Sequence, residues 1–131
     1  MAAPRVLIVD DEAPLVTLLK QTFSNEGYEV AQARDGIDCM NKVAAFRPDV
    51  ILMDIMMPKL DGVDTTRLIR RNRSYQDTIV VALSAKSDTA TRDAMRQAGA
   101  NLFMRKPFSI TRLVSRVGEF VAARSGSGER K

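Results

Sequence analysis

Five polar side chains of this sequence follow apolar runs, at four separate places: Asp10, Asp11, Asp54, Ser84 and Lys106. Apolar runs rich in branched residues predict strands that are buried on both faces, as in parallel sheets. Because the carboxyl ends of parallel strands share one edge of a sheet, we expect these side chains to meet there. Carboxylates that meet repel one another unless a cation lies between them, and oxygen ligands without histidine or cysteine favour Mg²⁺.

Phosphoryl transfer is the chemistry that these residue types fit. Mg²⁺ prefers one or two carboxylates together with a phosphate oxygen as ligands. We therefore expect a phosphoryl group to bind at this site. A carboxylate can itself act as the nucleophile and form an acyl phosphate, for which Asp54 is the candidate. Lys106 supplies positive charge, and the hydroxyl of Ser84 can donate to a phosphoryl oxygen. The alternative for Asp10 and Asp11 is that they merely begin the first helix, where acids favour the helix dipole.

Composition excludes several other kinds of site. The 131 residues suffice for one domain and are too few for two. The sequence has no histidine, which excludes histidine general bases, Ser-His triads and histidine metal sites. The single cysteine, Cys39, cannot form an internal disulfide, and its place beside an apolar helical stripe predicts buried packing. No secretory or membrane-spanning run is visible, so we expect a cytoplasmic protein.

Strand and helix patterns alternate five times along the chain. This alternation predicts an α/β fold in which a parallel sheet carries helices on both faces, joined by right-handed crossovers. Ser109 is expected to cap the last helix. Residues 1–123 would form the domain, and residues 124–131, rich in glycine and serine, predict a flexible tail or the start of a linker. Pro58 is expected to end the third strand.

Charge is distributed unevenly along the chain. Residues 1–66 hold 6 basic and 11 acidic residues, whereas residues 86–131 hold 10 basic and 4 acidic residues. A basic second half indicates binding to nucleic acid or to an acidic partner protein, or it is only a solvent-exposed face without a binding role.

The motifs that carry the candidate residues resemble the receiver domain of two-component response regulators, over about residues 5–123. The motifs are Val9-Asp10-Asp11-Glu12, the loop from Asp54 to Gly62, Leu83-Ser84-Ala85 and Lys106-Pro107-Phe108. The resemblance implies a doubly wound, flavodoxin-like sheet of five parallel strands in the order 2-1-3-4-5, with five helices. It also implies a signalling module that catalyses only its own phosphorylation and dephosphorylation.

The resemblance implies a role for each acid. Asp54 would accept a phosphoryl group from a histidine kinase or a phosphotransfer protein. Asp11, Asp54 and the backbone carbonyl of Met56 would bind Mg²⁺ directly, and Asp10 would act mainly through water.

The resemblance further implies how the phosphoryl group is held and sensed. Ser84 and Lys106 would bind its oxygens, and the peptide bond between Lys106 and Pro107 would be cis. Phosphorylation would draw Ser84 inward and let Phe103, on the fifth strand, fill the vacated space. A phenylalanine at this position lacks the hydroxyl that a tyrosine would offer.

The implied output surface, around the fourth helix, fifth strand and fifth helix, is basic. Its arginines are Arg92, Arg96, Arg105, Arg112 and Arg116. We expect either an acidic partner or a symmetric dimer in which these arginines meet acids of the second copy, namely Asp88, Asp93 and Glu119.

Three other classes of protein compete with this interpretation. An aspartyl phosphatase would usually carry a second acid two residues after the nucleophile, where this chain has Met56. A nucleotide-binding protein would need a glycine-rich phosphate loop, and none occurs. Direct DNA binding would have to use the receiver surface itself, because too few residues follow the fifth helix for a recognition module.

Overall fold

Strands and helices alternate along the chain in the computed structural model. It describes residues 3–57, 60–86 and 88–129, and of residues 125–129 it describes the backbone alone. The strands are β1 (Arg5–Val9), β2 (Glu29–Ala33), β3 (Val50–Asp54), β4 (Ile79–Ser84) and β5 (Leu102–Arg105). The helices are α1 (Ala13–Asn25), α2 (Gly36–Phe46), α3 (Gly62–Arg71), α4 (Thr89–Ala98) and α5 (Ile110–Glu129), with a short 3-10 helix over Arg73–Tyr75.

The five strands form one parallel sheet in the order β2-β1-β3-β4-β5. The α/β fold and the flavodoxin-like strand order expected from the sequence are therefore confirmed. β3 lies at the centre with all five residues buried, which is why its sequence is an unbroken apolar run up to Asp54.

Alternate residues of each strand enter two separate cores, one on each face of the sheet. The first core lies between the sheet and α2, α3 and α4, and includes Met53, Ala82 and Met95. The second lies between the sheet and α1 and α5, and includes Leu52 and Leu113. Both faces are therefore covered by helices, as a parallel sheet requires.

Short polar side chains fix where several helices begin. Ser109 accepts a hydrogen bond from the backbone N–H of Arg112 at 3.1 Å, which confirms the predicted cap of α5. Asp61 and Asp88 cap α3 and α4 in the same way. Cys39 is buried in the first core, and burial, with smaller contributions from nearby acids, raises the pKa of its thiol to about 12.

The C-terminal helix extends beyond the predicted domain boundary. The sequence predicts a flexible tail or the start of a linker from residue 124, whereas α5 continues to Glu129. Arg124 pairs with Asp49 at 2.5 Å, across the opposite end of the sheet from Asp54. Residues 130 and 131 lie outside the described residues, so the point at which the folded domain ends stays a prediction.

Two further expectations concern loops. The peptide bond between Lys106 and Pro107 is cis, as the resemblance implied. Pro58 and Lys59, which the sequence places after β3, lie outside the described residues. In the part of the chain that is described, none of the helices is both long and apolar enough to cross a membrane.

Candidate functional site

The carboxyl ends of β1, β3 and β5 bring two acids and a lysine together. Asp10 and Lys106 each lie one residue past a strand, and Asp54 is the last residue of β3. By strand alternation all three share the sheet face covered by α1 and α5. Of the five polar side chains expected to meet at this edge of the sheet, the ion pairs thus join Asp10, Asp54 and Lys106.

Lys106 is the centre of the charge contacts. Its Nζ lies 2.9 Å from Oδ2 of Asp10, 2.6 Å from Oε1 of Glu12 and 3.5 Å from Oδ1 of Asp54. The side chains of Asp10 and Asp54 are 1% and 7% exposed, whereas that of Glu12 is 56% exposed. One cation is thus surrounded by three carboxylates, two of which are removed from water.

The two oxygens of Asp54 have different surroundings. Oδ1 accepts a hydrogen bond from the backbone N–H of Met56 at 3.3 Å and faces Lys106. Oδ2 accepts no hydrogen bond from any residue that the structure describes. Both oxygens of Asp10, by contrast, are engaged, because Oδ1 accepts from the N–H of Glu12 and Oδ2 from Lys106.

Crowding of the acids shifts two pKa values. Burial, and after it the charge of Asp10, raises the pKa of Asp54 to about 6, although Lys106 opposes this shift. Burial alone would lower the pKa of Lys106, but its hydrogen bonds to Glu12 and Asp10 outweigh burial and raise that pKa well above its usual value. Lys106 is therefore charged at any physiological pH, and Asp54 is ionised above about pH 6.

The acids form a set of oxygen donors that suits a hard divalent cation. Oxygens of Asp10, Glu12 and Asp54 lie within 4.8 Å of one another, with no nitrogen or sulphur donor in the group. This donor set fits Mg²⁺. Asp11, the predicted direct ligand, is exposed and is not a member of this group. Its role, like that of the Met56 carbonyl, stays a prediction.

Ser84 is the last residue of β4 and follows Leu83, which is paired with Asp54 of β3. It is fully buried, and its Oγ accepts a hydrogen bond from the backbone N–H of Lys86 at 3.0 Å. Its carbonyl accepts from the N–H of Lys106 at 2.8 Å, which ties the ends of β4 and β5 together. Among the described residues, no hydrogen bond donated by the Ser84 hydroxyl is found.

Comparison with known proteins decides the family. A model of the response regulator receiver domain matches residues 6–118, most of the chain. The chain belongs to this family. Response regulator MprA of Mycobacterium avium is 34% identical over 113 residues, which cover 86% of this receiver domain chain and 49% of MprA. The chain therefore spans about half the length of the curated relatives it matches.

Solved structures of receiver domains share the fold. Chemotaxis protein CheY4 of Vibrio cholerae superposes with a TM-score of 0.85 at 28% identity, over 91% of this chain and 99% of that one. The receiver domain of a sensor histidine kinase from Pseudomonas aeruginosa superposes with a TM-score of 0.84 at 30% identity, over 92% and 99%. That second structure has a magnesium ion coordinated in its active site cleft.

Phe103 of the receiver domain lies on the other face of the sheet from Asp54. It is opposite Ala82 in β4, so its side chain and that of Ser84 are diagonal neighbours on one face. The guanidinium carbon of Arg92 stands 5.1 Å from the centre of the Phe103 ring. Phe103 is partly buried and packs against the first core.

Two residues of this site, Glu12 and Gly62, have no role predicted from the sequence. Glu12 belongs to one of the family motifs, and it makes the shortest contact to Lys106. Gly62 begins α3 so close to β3 that a Cβ there would lie 2.6 Å from the carbonyl oxygen of Asp54. The only sequence pattern that pointed to Gly62 is the Asp61-Gly62 pair at the start of a helix, and this pair also fits an ordinary turn.

Proposed function

We propose that this receiver domain accepts a phosphoryl group on Asp54 from the phosphohistidine of a histidine kinase or phosphotransfer protein, and that the phosphoryl group switches a partner-binding surface. The observation that carries the proposal is the environment of Asp54. Its Oδ1 is held by Met56 and faces Lys106, while Oδ2 has no donor among the described residues. Oδ2 is therefore the oxygen available as a nucleophile.

The transfer step can be written with residues of this chain. Oδ2 of Asp54 attacks phosphorus, and the bond from phosphorus to the donor nitrogen breaks as the nitrogen keeps the electron pair. Lys106 is charged and donates to a phosphoryl oxygen, exchanging part of its contact with the acids. Ser84 can turn its hydroxyl proton to a second phosphoryl oxygen.

A divalent cation is part of the proposed chemistry. Asp10, Glu12 and Asp54 would hold Mg²⁺, with Asp11 and the Met56 carbonyl as further ligands implied by the family. When bound, the ion neutralises negative charge that the acids and the phosphoryl group bring together. Self-phosphorylation and hydrolysis of the acyl phosphate are the reactions we propose, without turnover of an external substrate.

Incubation with Mg²⁺ and acetyl phosphate tests this function. Separation on a phosphate-binding gel should show a retarded, singly modified form, which chelation of Mg²⁺ abolishes. Asp54→Asn should give no retarded form. Asp64→Asn is the matched control, because Asp64 is an exposed acid of α3 whose carboxylate pairs with Arg67 at 3.3 Å. Equal labelling of the wild type and Asp54→Asn would contradict the proposal.

A further inference from the structure

A cavity of about 420 Å³ opens at the amino edge of the sheet, opposite the proposed phosphorylation site. Its walls come from the starts of β1, β3 and β4 and from the ends of α2 and α5, where Arg5, Asp49, Thr78, Arg47 and Arg124 lie. Among the described residues, three arginines and a single acid thus line it. Because the proposed phosphoryl transfer does not use this edge of the sheet, the charge gathered here has another cause.

Two of the arginines are held in place by bonds that leave some of their donors unused. Arg124 pairs with Oδ1 of Asp49 at 2.5 Å, and Oδ2 of Asp49 accepts the backbone N–H of Arg5 at 2.8 Å. The Arg5 guanidinium donates to Glu29 at 3.3 Å and to the carbonyl of Phe46 at 3.0 Å. Nη2 of Arg5, and Nε and Nη2 of Arg124, donate to none of the described residues. Both guanidinium groups are therefore preorganised for a further acceptor.

Neither folding nor pairing explains the third arginine, Arg47. It follows α2 with a φ of 54°, in the left-handed region that favours glycine. Its guanidinium has no carboxylate, carbonyl or aromatic partner within the described part of the chain. A side chain that neither suits its backbone conformation nor pairs with its own protein indicates a partner from outside the chain.

Hydroxyl and apolar groups complete the cavity. Ser74, Tyr75 and Thr78 line it, and none of their hydroxyls donates to another residue that the structure describes. Thr78 is buried, and Tyr75 is partly buried. Pro48 and the aromatic residue Tyr75 add apolar surface. The cavity thus combines donors for an anion with apolar surface for a carbon skeleton.

We propose that this cavity binds a small organic phosphate through its phosphomonoester group. The phosphate contacts Arg5, Arg47 and Arg124, and the organic part lies against Pro48 and Tyr75. A phosphomonoester carries nearly two negative charges at neutral pH and offers three acceptor oxygens, which suits guanidinium groups that come from different elements. Inorganic phosphate would fill only a small part of the volume, so the ligand carries an organic group. The phosphates of a DNA duplex carry one charge each and lie along an extended surface, which a concave site matches less well.

Titration calorimetry with adenosine monophosphate tests the site, at constant ionic strength and with a chelator that removes Mg²⁺. The chain should bind this mononucleotide at least about tenfold more tightly than adenosine, which lacks the charge-assisted hydrogen bonds. It should bind inorganic phosphate at least about threefold more weakly than the mononucleotide, because inorganic phosphate lacks the apolar contacts. In NMR spectra the amide resonances of Arg5, Ser74 and Thr78 should shift on titration, whereas that of Glu12, at the other edge of the sheet, should not.

Two substitutions of Arg47 separate binding from folding. Arg47→Gln removes the charge, and Arg47→Gly also suits the left-handed backbone, so neither should lower the free energy of unfolding. Both should weaken binding of the mononucleotide at least about fivefold, because a charged donor is lost. Arg34→Gln is the matched control and should bind as the wild type does, because Arg34 is an exposed arginine that follows β2 at the opposite edge of the sheet.

Each contrary outcome is specific. Absent binding, or equal binding of adenosine and the mononucleotide, overturns the proposal, as does binding that Arg47→Gln leaves unchanged or that Arg34→Gln weakens equally. Inorganic phosphate that binds as tightly as the mononucleotide contradicts the organic part of the ligand. Tighter binding of duplex DNA, weakened by Arg47→Gln, would assign this edge to nucleic acid instead and also overturns the proposal. None of these outcomes bears on the labelling of Asp54, so the two proposals can fail separately.

Discussion

The ammonium group of Lys106 lies 3.5 Å from the carboxylate of Asp54, and both side chains are largely removed from water, at 13% and 7% exposure. The same ammonium group is closer to Asp10, at 2.9 Å. Lys106 is thus held mainly by the neighbouring acids, although it also faces Oδ1 of Asp54, the oxygen beside the proposed nucleophile Oδ2. The ammonium group of Lys106 therefore lies beside the proposed nucleophile.

Removal of Lys106 should destabilise the fold, because it leaves two buried carboxylates without their cation. We expect Lys106→Met to lower the free energy of unfolding by about 2 to 4 kcal/mol at pH 8 without Mg²⁺. Denaturant unfolding measures this loss. Lys20→Met, at an exposed position of α1, is the control and should change stability by less than about 0.5 kcal/mol. A similar small change for both variants would show that Lys106 does not offset the buried acids.

Replacement of Asp54 should have the opposite effect on stability. Because the pKa of Asp54 is raised to about 6, the folded protein holds the Asp54 proton more tightly than the unfolded chain does. The free energy of unfolding therefore falls as the pH rises from about 4 through about 6. Asp54→Asn should therefore be more stable than wild type at pH 8, by on the order of 1 to 3 kcal/mol, with little difference near pH 4. Thermal unfolding in the presence of a chelator measures both. An equal gain at the two pH values would exclude titration of Asp54 as the cause.

Gly62 should tolerate no side chain, because a Cβ there would meet the backbone of Asp54 and Ile55, at the proposed phosphorylation site. The clash involves the Asp54 carbonyl oxygen at 2.6 Å and the Ile55 Cα at 2.8 Å. We expect Gly62→Ala to cost about 1 to 3 kcal/mol and to reduce labelling by acetyl phosphate. Gly118→Ala is the control, since it has open space on α5 and should stabilise by about 0.5 to 1 kcal/mol. Unchanged stability and labelling in Gly62→Ala would contradict the close approach.

Arg70 joins α3 to the start of β5. Its guanidinium donates to the carbonyls of Gly99 at 3.0 Å and Tyr75 at 2.8 Å, and to Oδ1 of Asn101 at 2.9 Å. Arg70→Met should lower the free energy of unfolding by about 2 kcal/mol, because these acceptors lose their donor. Arg71→Met is the comparison, because the neighbouring Arg71 is exposed. Denaturant unfolding should show almost no loss of stability for this variant. Equal losses would argue against a specific role for Arg70.

Much of the fold could be predicted from the sequence because strand burial is a local pattern. The β3 run is apolar at every position up to Asp54, and the alternation of elements requires a parallel sheet. The strand order itself came from resemblance, since periodicity does not say which strands are neighbours. The end of α5 was not predicted, because residues 124–129 have the composition of a tail and the sequence does not reveal the pairing of Arg124 with Asp49.

The site shows the same division between local and spatial information. The meeting of Asp10, Asp54 and Lys106 could be predicted, because each follows a strand of one parallel sheet. The contact of Glu12 with Lys106 and the approach of Gly62 to Asp54 could not, because both depend on how a loop folds back over the sheet edge. The ring contact of Arg92 with Phe103 likewise depends on how α4 packs beside β5.

Location of the phosphoryl group on the chain tests the central claim most directly. After incubation with acetyl phosphate and Mg²⁺, borohydride reduction converts an aspartyl phosphate to homoserine, and peptide mass spectrometry identifies the modified residue. We predict homoserine at position 54 alone, and none when phosphodonor or Mg²⁺ is omitted. Homoserine at Asp10, Asp11 or another acid, with Asp54 unmodified, would contradict the assignment of Asp54 as the phosphoryl acceptor.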